Sequence, residues 1–180
     1  PRFNSSEKNI VFVGNLFPVK GADRLLEALY LLDKKSVSWQ ANLIGDGPER
    51  HALEKKARAL ELEGKLKFWG RLPNPAVLEK LSLADVLVIP SRNEGGPLVL
   101  IEALALGRTV VAFDVGNVAD ILNRPELGYV VKGQTAEALA EAIYRALQVP
   151  VRPELARKRA AEYFLSNLVP KIETFYRTVV

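Results

Sequence analysis

The sequence predicts an α/β protein: a doubly wound parallel sheet of about six strands, with helices on both faces and a helical extension at the C-terminal end. Three observations predict it. Short apolar runs rich in Val, Ile and Leu alternate with longer amphipathic stretches, and strands apolar on both faces belong in sheets covered on both sides. Gly or Pro punctuates the junctions, as tight β–α turns require. A chain of 180 residues with 48% hydrophobic content is long enough for one well-packed core and short for two. We therefore expect one domain over residues 1–180, with 151–180 as its helical extension.

The elements follow in order. NIVFVG is a buried strand, and GADRLLEALYLLDKK carries the helical apolar spacing. WQANLIG and PERHALEKKARALELE repeat the pair, as do KLKFWG and PAVLEKLSLA. DVLVIP then leads into PLVLIEALALG, where Pro97 suits the first helical position and Leu98 to Leu106 should be helical. TVVAFDVG with NVADIL, and YVV with TAEALAEAIYRALQ, complete the series. After Pro150 the pattern is helix only, a helical pair expected to pack across the sheet's edge or onto a missing neighbour.

Composition excludes several classes. There is no Cys, so neither disulfides nor thiolate metal sites are available. The one His, His51, cannot build a zinc site alone and reads as a surface residue. No run approaches the roughly 20 apolar residues of a membrane span, and PRFNSSEKN lacks the layout of a signal peptide. The chain starts at Pro1 and has no Met, so a piece of a longer protein is expected. A net charge of +4 suits an anionic small ligand, an acidic partner or a phospholipid surface. The basic residues are scattered without interleaved aromatics, which argues against nucleic acid. Their one cluster, Arg152 to Arg159, is either a solvated helix face or a contact to an anionic membrane.

In open parallel sheets ligands bind beyond the carboxyl ends of the strands, where strand order reverses. The turns that matter are therefore GNLFPVKG, GDGPER, GRLPN, PSRNEGGP and DVGN. In NEGGP, Gly95 and Gly96 let backbone approach a ligand, and the start of the next helix offers free N–H groups and the positive dipole end to a phosphate. Glu102 interrupts an otherwise apolar helix that looks buried on both faces, so its charge needs partners. Those are either an internal Arg or backbone amides, or the hydroxyls of a ligand. Glu94, beside the glycines, either faces the same cleft or is a solvated loop residue. Gly14 closes the first strand, and Lys20 can place an ammonium near an anion. GDGPER lacks the third glycine of a dinucleotide fingerprint, and no Walker loop is present. No Asp-x-Asp pair offers a metal site, so charge neutralisation by Lys, Arg and helix dipoles is expected.

These turns together resemble the carboxy-terminal, donor-binding domain of glycosyltransferase family 4, retaining enzymes of the GT-B type with Rossmann-like domains. The resemblance runs in order through VFVGNLFPVKGADRLLEAL, LIGDGPER, FWGRLP, ADVLVIPSRNEGGPLVLIEALALG and ELGYVV. Glu94 and Glu102 match the family's E-x7-E pair. The resemblance implies a nucleoside-diphosphate sugar as donor substrate, no cofactor and no metal. Lys20 would contact the diphosphate, Glu94 the transferred sugar and Glu102 the ribose. Backbone amides from Gly95 to Val99, across Gly96, Pro97 and Leu98, would cap the phosphates, and Arg71 and Leu72 would hold the base. It also implies a missing amino-terminal acceptor-binding domain, a cytoplasmic setting and an acceptor that is a glycan or is lipid-linked. Other readings are a non-catalytic binding or assembly subunit and a sugar-nucleotide epimerase.

Three departures stand beside the resemblance. Asn15 stands where many relatives have Arg, which removes one charge-assisted contact to the diphosphate. GNVAD, Gly116 to Asp120, replaces the family's Gly-Gly-x-Pro-Glu. Gly96 and Pro97 stand where Phe-Gly is common.

Overall fold

The computed structural model describes residues 7–164. It holds a six-stranded sheet in the order β3-β2-β1-β4-β5-β6, and every pairing between its strands is parallel. The strands are β1 (Lys8–Val13), β2 (Trp39–Ile44), β3 (Leu66–Gly70), β4 (Val86–Ile89), β5 (Thr109–Phe113) and β6 (Tyr129–Val131). The helices are α1 (Ala22–Asp33), α2 (Arg50–Ala59), α3 (Asn74–Ser82), α4 (Leu98–Ala105), α5 (Val118–Ile121), α6 (Ala136–Gln148) and α7 (Pro153–Ala161). Each apolar run of the sequence is thus a strand and each amphipathic stretch a helix. Two short 3-10 turns, Pro18–Lys20 and Pro125–Leu127, are additional.

Side-chain alternation along the strands sorts the core into two layers. Ile10 and Phe12 of β1 join Leu25 and Leu29 of α1, Leu53 of α2 and Ile143 of α6 on one face. Val11 joins Leu81 of α3, Leu100 and Leu104 of α4 and Ala156 of α7 on the other. β4 and β5 are buried along their whole length, which is why their sequences show no polar alternation. The hydroxyl of Thr135 accepts from the Ala138 amide at 3.2 Å and caps α6.

Two expectations need correction. The first helix after Pro150, α7, packs on α4 across a sheet face rather than along the sheet's edge. Ala156 and Ala160 present the small side chains that allow the close approach. The second helix of the expected pair lies outside the described residues. Pro97 is the N-cap of α4, with φ −73° and ψ 109°, and not its first residue. The extended ψ at Pro97 turns the chain into the helix one residue later.

The strand order reverses between β1 and β4. The loop after β1, residues 14–21, and the loop after β4, residues 90–97, therefore leave the sheet side by side and diverge to opposite faces. A crevice forms there.

Candidate functional site

Glycines set how closely the crevice loops approach. Gly21 has φ +66°, and a Cβ there would lie 1.9 Å from the Pro90 carbonyl oxygen. Gly116, at φ +55°, would place a Cβ 1.9 Å from the carbonyl oxygen of Glu94. The loops after β1, β4 and β5 are thus in backbone contact that no side chain permits. Gly95 differs: its missing Cβ would meet nothing within 4 Å. Open space lies on its outer side.

This docking brings Lys20 and Glu94 together from 74 residues apart, with Lys20 Nζ donating to Glu94 Oε1 at 2.6 Å. The Ser91 hydroxyl donates to the same oxygen at 2.6 Å. Glu94 is not a solvated loop residue, since its side chain is only 9% exposed while that of Lys20 is 30% exposed. Glu94 Oε2 has no partner among the described residues. One oxygen fixes the carboxylate and the other is left for a ligand.

The amides of Gly95, Gly96, Leu98 and Val99 donate to no acceptor among the described residues. They sit at the positive end of α4, where an anion is favoured. α4 is not buried on both faces. Leu98 is 79% exposed, and Glu102, one turn along on the same side, is half-buried. Neither an Arg nor a backbone amide among the described residues pairs with Glu102. The apolar run misled because Leu98 contributes hydrophobicity without being in the core.

The remaining positions lie around this centre. Gly14 follows β1, and a Cβ on it would lie 3.8 Å from Lys20 Cδ. Asn15 is exposed, and its side chain has no described partner. Arg71 is exposed and Leu72 half-buried in the turn after β3. That turn stands two strands out from β1 and makes no described hydrogen bond to Lys20 or Glu94. His51 is exposed on α2. In the basic stretch, Arg159 donates to the Ile121 carbonyl at 2.9 Å and to Asp120, Glu162 and Tyr163. It is a structural tie between α7 and α5. Arg152, Arg157 and Lys158 are exposed.

Sequence reading missed two residues. Arg92 forks onto Asp23 at 2.9 and 2.7 Å and donates to the Pro18 carbonyl, while its amide donates to Val19 at 2.7 Å. It clamps the loop after β4 onto the loop after β1. Its only sequence signal was its place two residues before Glu94. Asn117 lies in the altered loop Gly116 to Asp120, and its amide abuts Gly96, 3.4 Å from where a Cβ would be. Its Oδ1 is buried without a partner among the described residues.

Burial alone would raise the Asp23 carboxyl, but the hydrogen bonds and charge of Arg92 hold it below its ordinary value. The same contact raises Arg92. A depressed carboxyl contributes stability that is complete above its unfolded value and is lost as pH falls through the folded one. Asp23→Asn should therefore lower the melting temperature at pH 7, with the gap to the parent closing toward pH 3. Melting curves across that range would show a constant gap if the clamp contributes nothing.

Residues 1–163 match the family described as glycosyl transferases group 1. The chain belongs to this family. A putative teichuronic acid biosynthesis glycosyltransferase of Bacillus subtilis is 37% identical over 147 residues, covering 81% of this chain and 35% of that protein. An alpha-D-kanosaminyltransferase of Streptomyces kanamyceticus is 29% identical over 184 residues, covering 99% of this chain and 48% of that protein. Sucrose-phosphate synthase of Thermosynechococcus elongatus superposes with a TM-score of 0.85 at 28% identity, over 98% of this chain and 46% of its own. The chain of this group 1 transferase domain thus spans less than half of each of these relatives.

Proposed function

We propose that this chain is the nucleotide-sugar donor-binding domain of a retaining glycosyltransferase. It would take a hexosyl unit from a nucleoside-diphosphate sugar for transfer to a glycan or lipid-linked acceptor. The observation that carries the reading is the Lys20–Glu94 pair at 2.6 Å beside four amides at the start of α4 that have no acceptor among the described residues. An ammonium and convergent N–H groups suit a diphosphate, and they stabilise the charge that grows on it as the sugar departs. The diphosphate's charge is then met by protein groups, without a metal. Glu94 Oε2 is placed to orient the sugar by its hydroxyls. Glu102, without an internal partner, is the acceptor for the ribose, and the backbone of Arg71 and Leu72 holds the base. The acceptor site belongs to an amino-terminal domain outside this chain, so the chain alone should bind the donor and transfer nothing. We place it in the cytoplasm, with any membrane contact peripheral. Among the described residues no helix is long and apolar enough to cross a membrane.

A second reading is favoured by Asn15. Arg92 does not replace the missing cation, because its guanidinium is committed to Asp23 and Pro18. A non-catalytic binding or assembly subunit would tolerate the resulting loss. Turnover with and without an added amino-terminal half separates the two. Membership of a transferase family leaves an epimerase without support.

Calorimetric titration with UDP, GDP, ADP and pyrophosphate tests the site. Glu102→Ala should weaken the preferred nucleotide by about tenfold or more, the worth of one or two hydrogen bonds to a charged group, and leave pyrophosphate unchanged. Equal losses for both, or none, would remove the ribose role.

A further inference from the structure

Asn117 stands beside the crevice, and nothing assigned to the site so far uses it. Its backbone is held by other groups. Gly116 docks the loop after β5 against the Glu94 carbonyl. Val118 is fully buried and Ile121 is 2% exposed, and the Asn117 carbonyl accepts from the Ile121 amide at 3.1 Å. The side chain adds no bond to this. Asn is favoured at an N-cap because its carboxamide oxygen can accept from the first amides of the helix, yet at the N-cap of α5 it makes no such bond. It turns instead to the loop after β4.

There Nδ2 lies 3.4 Å, and Oδ1 3.7 Å, from the point that a Cβ on Gly96 would occupy. Oδ1 is buried without a partner among the described residues. Nδ2 is not buried, and it donates to no acceptor among the described residues. Oxygen and nitrogen of a carboxamide are told apart by their surroundings. Here the surroundings favour the arrangement seen, because an unpaired N–H group is harder to bury than an unpaired oxygen, so the two-donor end faces out. An unbonded side-chain donor thus stands next to Gly96, whose own amide has no acceptor among the described residues. A cap left unmade and a buried oxygen left unpaired both work against stability, and such local conflicts gather at functional sites.

We propose that Asn117 is a further ligand-contacting residue of the crevice: with a diphosphate at the start of α4, Nδ2 donates to a phosphate oxygen beside the amides of Gly95 and Gly96. This rests on the donor-site reading and extends it. Because β4 stands between β1 and β5 in the sheet, the diphosphate is met from two sides, by Lys20 from the loop after β1 and by Asn117 from the loop after β5.

The chain would be titrated with pyrophosphate by calorimetry, beside Asn117→Ala, Asn117→Asp and Lys20→Ala, and each protein would be melted. Asn117→Ala should bind pyrophosphate about tenfold more weakly, the loss of one hydrogen bond to a charged group. It should melt at or above the parent temperature, since it removes an unpaired buried oxygen and no cap. Asn117→Asp keeps the shape but exchanges the donor for a charged acceptor, and should bind more weakly still. Unchanged affinity with a lower melting temperature would make Asn117 a packing residue and overturn the proposal, as would pyrophosphate binding that Asn117→Asp leaves intact. Should Lys20→Ala lose the binding while Asn117→Ala keeps it, the inference on Asn117 falls alone. Should the parent bind no pyrophosphate, the donor-site reading falls and this inference with it.

Discussion

Lys20→Ala should reduce the affinity for a nucleoside diphosphate by at least tenfold and by up to about a hundredfold, with little change in stability. A charge-assisted hydrogen bond is worth about 1.5–3 kcal/mol, and each 1.4 kcal/mol is tenfold in affinity. Asn15 and the committed Arg92 leave Lys20 without a backup in these loops, which places the effect toward the upper end. The folded state should lose little, because Glu94 keeps its bond from Ser91 at 2.6 Å and a partly exposed ion pair contributes about 0–1 kcal/mol. Calorimetry for affinity and thermal melting for stability check both halves. Unchanged affinity would show that the ammonium serves only to hold Glu94.

Gly21→Ala should be the most destabilising single change in the site. Its φ of +66° costs a side chain about 1–2 kcal/mol. The added Cβ, 1.9 Å from the Pro90 carbonyl oxygen, must also push the exit of β4 away from β1. Together these should cost roughly 3 kcal/mol or more, within the range of strain at a special backbone position. At about 2–4 °C per kcal/mol for a chain of this size, the melting temperature should fall by about 6–12 °C. Nucleotide binding should fall with it, because Gly21 follows Lys20 directly and is the N-cap of α1. Gly95→Ala is the control: with nothing within 4 Å of its Cβ, it should melt close to the parent. Equal melting of the two variants would show that loop contact at Gly21 is not what holds the crevice.

Both experiments probe contacts that join distant parts of the chain. Lys20 and Glu94 were each picked out beside glycines, one after the first strand and one after the fourth. Their contact was not legible, because it depends on β1 and β4 being neighbours although β2 and β3 lie between them in sequence. The Arg92–Asp23 clamp was missed for the same reason. Glu102 was picked out for the opposite cause: a charge in an apolar run is visible locally, but which side of α4 meets solvent is set by where the sheet and α7 press on it.

What the sequence by itself determined is what near neighbours decide. Apolar runs of four to six residues, helical spacing and Gly or Pro at the junctions act within a few positions along the chain, and they were enough for the α/β layering and the element order. Glycine positions and the two glutamates at a spacing of eight were likewise readable, since backbone freedom and isolated charge are properties of a position. Only the tertiary structure decided which of these groups meet. Strand order and backbone contact at Gly21 and Gly116 closed the loops around Lys20 and Glu94. They also left Glu102 and the first amides of α4 without partners among the described residues, because pairing across 74 residues is an outcome of packing, and no local pattern encodes it.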